Sequence, residues 1–170
     1  MSASLVGSEM CIRDRYDGDR AGKRIGVTTM EQNIDRKALI RAAFAAREYA
    51  YTPYSNFKVG AALLAKNGSV YTGCNIECAT FTPTNCAERT ALFKAVSEGV
   101  HEFAAVAVVG AKDGAPDDAL ITSPCGVCRQ MLYEFGGPDL RVIMAKSETD
   151  WQEMTLGELL PLGFGPEKVL

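Results

Sequence analysis

Two short fragments constrain this chain more than anything else in it: Asn85-Cys86-Ala87-Glu88 and Pro124-Cys125-Gly126-Val127-Cys128. Cys125 and Cys128 stand three apart, so the first turn of a helix carries both sulfurs on one side. Pro124 fixes the entry to that turn and has no N–H to leave unpaired. Cys86 opens a different segment of helical periodicity. If all three thiolates bind one ion, the fold must bring two helix N-termini together. Three protein ligands leave a fourth position open for water, the arrangement of a catalytic rather than a structural zinc site. Glu88 lies two residues past a ligand, too close to serve as a routine fourth ligand. It is well placed to take a proton from the activated water and pass it on to a substrate nitrogen and a departing amine.

Three thiolates on Zn²⁺ make a net negative cluster. It should acidify water less readily than a three-histidine site, where the water pKa is about 7. Positive potential must come from elsewhere. Each helix N-terminus supplies roughly half a charge, and Arg89 and Arg129, next to ligands, are expected to donate to the ligand sulfurs. The two fragments fit the zinc deaminase arrangement in its three-cysteine form. Alone, Cys-x-x-Cys also fits a redox pair or a structural half-site, and Glu88 alone could be an ordinary acid at a helix start. A four-cysteine structural site from Cys74, Cys78, Cys125 and Cys128 is the rival, but it leaves Cys86-Ala87-Glu88 and Pro124 without a role. On the main reading Cys74 and Cys78 are small buried side chains near the site. His101, the one histidine, falls between a helix and a strand and reads as a surface residue.

Composition narrows the partners. Lys and Arg total 18 against 21 Asp and Glu, with no basic run. A polynucleotide binder usually needs excess positive charge, so a small-molecule substrate is favoured and nucleic acid is not. No stretch is apolar for long enough to span a bilayer, and Glu9, Arg13 and Asp14 interrupt any secretory signal. No membrane partner is expected, and a cytoplasmic location is. The six cysteines then read as thiols or metal ligands. With 47% hydrophobic residues, residues 31–170 suit one globular domain. Residues 1–30 lack an amphipathic period and read as a disordered leader. Met10-Cys11-Ile12-Arg13-Asp14 can be encoded by a transposon mosaic-end adapter, so residues 1 to about 15 are expected to be a sequencing scar. Met30 is then the natural start, and Cys11 has no function.

Periodicity predicts a helix from about Asp35 to Ala50, capped by Asn33 or Asp35. A hairpin follows, from strands Phe57–Leu64 and Ser69–Asn75 around the tight-turn pair Asn67-Gly68. Further along come a helix Cys86–Glu98 stopped by Gly99 and a buried strand Phe103–Val109. Leu120–Ser123 leads into Pro124 and a helix Cys125–Phe135 stopped by Gly136-Gly137-Pro138. A strand Leu140–Met144, a short strand Trp151–Met154 and a short helix Leu156–Leu160 complete the chain. The alternation predicts an α/β sheet with helices on both faces.

SNFKVGAAL, GCNIE, NCAERTALFKAVSEG and SPCGVCRQ resemble the homotetrameric cytidine deaminases that act on free nucleosides, over about Asp35 to Phe164. The resemblance implies a three-layer α/β/α fold around a mixed five-stranded sheet. It implies one Zn²⁺ per subunit on Cys86, Cys125 and Cys128, with Glu88 as proton shuttle. It also implies conversion of cytidine and deoxycytidine to uridine and deoxyuridine in pyrimidine salvage, by a homotetramer. Asn75 and Glu77 match the pair that hydrogen-bonds the ribose hydroxyl, as an amide and a carboxylate together can. Phe57 matches the aromatic residue that packs on the pyrimidine, although it also reads as a strand core residue. The Ala87 backbone is expected to contact the base, Ser123 and Pro124 to border the amine-leaving side, and Phe164 to reach a neighbouring subunit's site. Two positions depart from the family: Cys78, where Asn is frequent, and Phe81, where Tyr is frequent. Loss of that hydroxyl removes a cross-subunit hydrogen bond, a net effect of about 0.5–1.5 kcal/mol. The resemblance extends to aminonucleoside-antibiotic deaminases, but Glu77 favours a nucleoside.

Overall fold

The computed structural model describes residues 34–115 and 121–170. The leader read over residues 1–30, Asn33 as a cap and Leu120 lie outside them. Asp35 caps helix α1 (Arg36–Arg47) by accepting the Ala38 N–H at 2.9 Å. The helix ends earlier than its periodicity suggests. The Tyr49 and Ala50 N–H groups close on carbonyls three residues back, and Tyr51 is already drawn into extended pairing with Ile76.

Strands β1 (Phe57–Ala65) and β2 (Val70–Cys74) form the expected hairpin. Asn67-Gly68 does not make a two-residue turn, however. The Gly68 N–H donates to Ala65 O at 3.0 Å, the Ala65 N–H donates to Ser69 O at 2.8 Å, and Gly68 has φ 90° while Asn67 does not go positive. The connection is therefore a wider turn closed by a glycine bulge. Helix α2 (Ala87–Ser97), strand β3 (Phe103–Lys112), helix α3 (Gly126–Gly136), strands β4 (Arg141–Ala145) and β5 (Trp151–Thr155) and the short helix α4 (Leu156–Leu159) follow in order. β3 outruns its apolar core because Gly110, Ala111 and Lys112 pair with Val59, Lys58 and Phe57. A capping box between Thr155 and Glu158 starts α4. A 3₁₀ turn at Pro166–Lys168 has no counterpart in the expectations.

The five strands run in the order β2-β1-β3-β4-β5, and β3–β4 is the one parallel pair among mixed neighbours. Alternation along β1 and β3 divides the core in two. Leu63, Val106, Val108, Val142 and Met144 meet Leu92 of α2, Leu132 of α3 and Leu156 of α4. Ala62, Ala105, Ala107, Val109 and Ile143 meet Leu39, Ile40 and Ala43 of α1 on the other face. The mixed five-stranded α/β/α architecture stands as the resemblance implies. Small residues let the helices sit directly on the strands. A methyl on Gly60 would collide with the Ala43 carbonyl of α1, and one on Gly73 would fall 2.5 Å from Ala87 O and Ala91 N of α2. The second approach sets the height of α2, which starts at Cys86, above the sheet.

Candidate metal centre and active site

Cys86 and Cys125 are the N-caps of α2 and α3, with extended backbone (ψ 155° and 165°) and no capping bond from their side chains. Their sulfurs are thus free to face one another across the two helix starts. Cys128, in the first turn of α3, is fully buried. The three Sγ atoms lie within 4.8 Å of one another, and Cys86 and Cys125 are 3.9 Å apart. Tetrahedral zinc with Zn–S bonds of about 2.3 Å holds its sulfurs roughly 3.8 Å apart, so the donor set fits that ion. Among the described residues this is the one such cluster. Cys74 and Cys78 stand apart from it as half-buried free thiols, so the four-cysteine alternative is not assembled.

The electrostatics of the trio favour a divalent cation. A hydrogen bond with Cys128 and the Arg89 guanidinium bring the Cys86 thiol down to about 5 against the desolvation that opposes them. Cys128 is pushed far up by its bond with Cys86, by burial and by the neighbouring Glu88. Thiols this close cannot all ionise on their own, and a cation compensates the charge that would otherwise repel. Arg89 donates through Nη2 to Cys86 Sγ at 3.8 Å and to Thr84 O at 3.3 Å, as a sulfur donor should.

Arg129 corrects the expectation. Its guanidinium hydrogen-bonds not to sulfur but to Pro124 O at 2.8 Å, Leu159 O at 2.8 Å and Ser123 Oγ at 3.3 Å. From the first turn of α3 the side chain runs back along the helix toward Ser123 and α4, where carbonyls compete better than a thiolate.

Glu88 sits one residue into α2 beyond buried Ala87 and is 3% exposed. Burial raises its carboxyl to about 7, and the charge of Cys86 adds to the rise. A carboxyl poised there can both take and return a proton near neutral pH.

Asn75 and Glu77 leave β2 toward the turn at 52–56. The Asn75 amide bridges β1 as a strand would, donating to Phe57 O and accepting from the Val59 N–H, both at 2.8 Å. One amide hydrogen and one lone pair remain for a ligand. The Glu77 carboxylate accepts the Tyr54 and Ser55 N–H groups at 2.9 and 3.2 Å through one oxygen. The Ser55 hydroxyl, followed by these N–H groups, holds it below its usual value. Glu77 is thus fixed and ionised at neutral pH. Residue-type reasoning does not find Tyr54 and Ser55 because they act partly through main-chain N–H groups.

Phe57 opens β1 half-buried, with its ring edge over Gly110 beside Thr122. That places it next to the segment entering Ser123, Pro124 and Cys125; Pro124 is buried and Ser123 exposed. Phe164 is 55% exposed, and its backbone is gripped by the Gln130 side chain, which donates to Phe164 O at 2.7 Å. Phe81 stands 68% exposed with φ 57° and meets Tyr54 edge-on at 5.7 Å. His101 is exposed, as expected.

Comparisons with known proteins identify the family. Residues 33–145 match the family described as the cytidine and deoxycytidylate deaminase zinc-binding region, a span that includes all three cysteines. The chain is 51% identical over 134 residues to a cytidine deaminase of Halalkalibacterium halodurans, covering 79% of this chain and 97% of that one. It is 48% identical over 134 residues to a cytidine deaminase of Sporosarcina psychrophila, covering 79% and 94%. The fold superimposes on the crystal structure of cytidine deaminase from Burkholderia pseudomallei with a TM-score of 0.69 at 49% identity, covering 77% of this chain and 100% of that one.

Proposed function

The chain belongs to the cytidine and deoxycytidylate deaminase family, and on that premise we propose that it hydrolyses free cytidine and deoxycytidine to uridine and deoxyuridine with release of ammonia. One observation carries the reading: three sulfurs within 4.8 Å of one another beside a carboxylate that is 3% exposed. Cys86, Cys125 and Cys128 would hold the zinc. When bound, the metal supplies the Lewis acidity that makes water a nucleophile near neutral pH.

The other steps fall to the chain's own side chains. Glu88 accepts a proton from the attacking water, returns one to the ring nitrogen of the pyrimidine and moves a further one to the departing amino group. The sum is nucleoside and water in, and deaminated nucleoside and ammonia out. A carboxyl held at about 7 by burial is matched to both directions of transfer. Phe57 packs on the base and the Ala87 backbone contacts it. Ser123 and Pro124 border the departing amine. The Glu77 carboxylate and the remaining amide hydrogen of Asn75 hold the ribose hydroxyl. Each of these two is already locked to β1 or its entry turn, so the sugar meets a preorganised pair.

We infer in addition that the protein assembles as a homotetramer. The exposure of the large apolar residues Leu162 (96%), Phe81, Val127 and Phe164 is what burial in an assembly, with Phe164 reaching a neighbour's site, would relieve. No helix among the described residues is long and apolar enough to cross a membrane. A cytoplasmic setting and a role in pyrimidine salvage belong to the same proposal.

The test incubates zinc-loaded protein with cytidine, deoxycytidine, cytosine and blasticidin S while loss of aminopyrimidine absorbance is followed. Turnover of the two nucleosides, with neither cytosine nor blasticidin S converted, is the expected outcome. Activity on cytosine but not cytidine would remove the ribose pair from the account.

A further inference from the structure

The three thiols are not equally supported. Cys86 receives Arg89, and Cys128 is buried within α3. Cys125 is exposed, lies outside its helix at the N-cap and makes no capping bond with its side chain. The Cβ from which its Sγ projects toward Cys86 Sγ, 3.9 Å away, is placed by the backbone at 124–125.

Arg129 holds that backbone with two of its own donors on consecutive carbonyls. Its main-chain N–H donates to Cys125 O at 2.9 Å, and its Nε donates to Pro124 O at 2.8 Å. Proline has no N–H, so this carbonyl is its one polar handle. The same guanidinium donates through Nη1 to Leu159 O, at the end of α4, at 2.8 Å and through Nη2 to Ser123 Oγ at 3.3 Å. A planar fork can serve such separated acceptors at fixed angles, and a lysine ammonium cannot. The next residue extends the fastening, because Gln130 Nε2 donates to Phe164 O at 2.7 Å.

We propose that Arg129 is a positioning residue, which locks the turn that presents Cys125 by fastening Pro124 to the end of α4. The C-terminal segment thereby becomes part of the frame that holds the metal. This role differs from that of Arg89, which acts on a sulfur directly. It rests on the zinc reading of the three-cysteine set but not on the choice of substrate.

The test compares wild-type, Arg129→Gln and Arg129→Lys proteins loaded with zinc, at a temperature where circular dichroism shows each fully folded. Zinc release to a chromogenic chelator is timed, and the sulfur-to-metal charge-transfer band is recorded after cobalt substitution. Loss of a supporting contact to a ligand typically weakens metal binding by about 10- to 100-fold. Arg129→Gln should release zinc faster by that factor and show an altered cobalt band, with Arg129→Lys intermediate. A merely structural latch would lower thermal stability and leave both readouts at wild-type values, and that result overturns the proposal. If Arg129→Gln does not fold, release from Arg129→Lys at the wild-type rate overturns it equally. A wild-type protein that binds no zinc would overturn the metal reading too, an outcome distinct from tight zinc binding that ignores Arg129.

Discussion

Gly73→Ala is the smallest change that should disturb both the fold and the chemistry. Gly73 lies in β2 opposite Ala61, and its missing side chain faces the first turns of α2. A methyl there would stand 2.5 Å from Ala87 O and 2.5 Å from Ala91 N, about 0.9 Å short of the 3.4 Å at which ordinary contact begins. Both neighbours are main-chain atoms of one helical turn, so no side chain can swing away. Either α2 lifts from the sheet or the turn distorts. Overpacking of this kind costs about 2 kcal/mol, and for a domain of this size that lowers Tm by about 4–8 °C. The displaced turn is also the one that carries Cys86 and Glu88. A misplacement approaching 1 Å at a reacting group costs up to about 100-fold in rate. Calorimetry of the zinc-loaded variant, with kcat measured well below its Tm, reads both effects. We expect Tm to fall by several degrees and kcat to fall at least about tenfold. Wild-type values for both would refute the claim that Gly73 sets the height of α2.

Other perturbations have signed outcomes. Glu153 accepts hydrogen bonds from Arg36 and Arg141, the latter at 2.7 Å, and the Arg36 contact holds its carboxyl below the ordinary value of 4.5. A depressed carboxyl stabilises above its unfolded value and loses that contribution as pH falls through its folded value. Glu153→Gln should therefore cost about 1 kcal/mol at pH 7, discounted for the half-exposed arginines, and the gap in urea stability should close as pH falls below the ordinary carboxyl value of 4.5 and through the lower folded one. Asn75→Ala removes two backbone bonds to β1 and should lower stability by about 2 kcal/mol as well as raise KM. Glu77→Gln keeps its shape and should raise KM with little change in kcat. Chelation should abolish turnover and lower Tm, and added zinc should restore both, with Tm rising as the logarithm of free zinc. Calorimetry over a zinc titration checks this.

The metal centre is readable from the chain because ligand chemistry demands particular residue types at particular spacings. Cys86, Cys125 and Cys128 need only two helix starts to meet, and the apolar periods of α2 and α3 specify both. The sheet and its helix layers are legible from the way strand and helix patterns alternate along the chain and from the unbroken apolar run Phe103–Val109, which marks a buried strand. Less legible are features decided by where distant backbone passes. Whether Arg129 reaches a sulfur or a carbonyl depends on the path of α4, which local pattern does not convey. The second job of Asn75, bridging Phe57 and Val59, depends on hairpin register. The Asn67-Gly68 signal marks a turn, yet the turn type follows from strand twist, and the glycine alone goes to positive φ. The early end of α1 likewise reflects a tertiary pairing, Tyr51 with Ile76. Gly73 carries no chemistry, and its importance emerges only once α2 lies on the strand.

Zinc content and cytidine turnover measured on one preparation of Glu88→Gln separate metal binding from proton transfer. Glutamine preserves the volume of the buried side chain and cannot accept the proton. One zinc per chain, an intact fold and a deamination rate lower by about 100- to 10,000-fold are expected if Glu88 carries the proton. Turnover near the wild-type rate with zinc bound would contradict it.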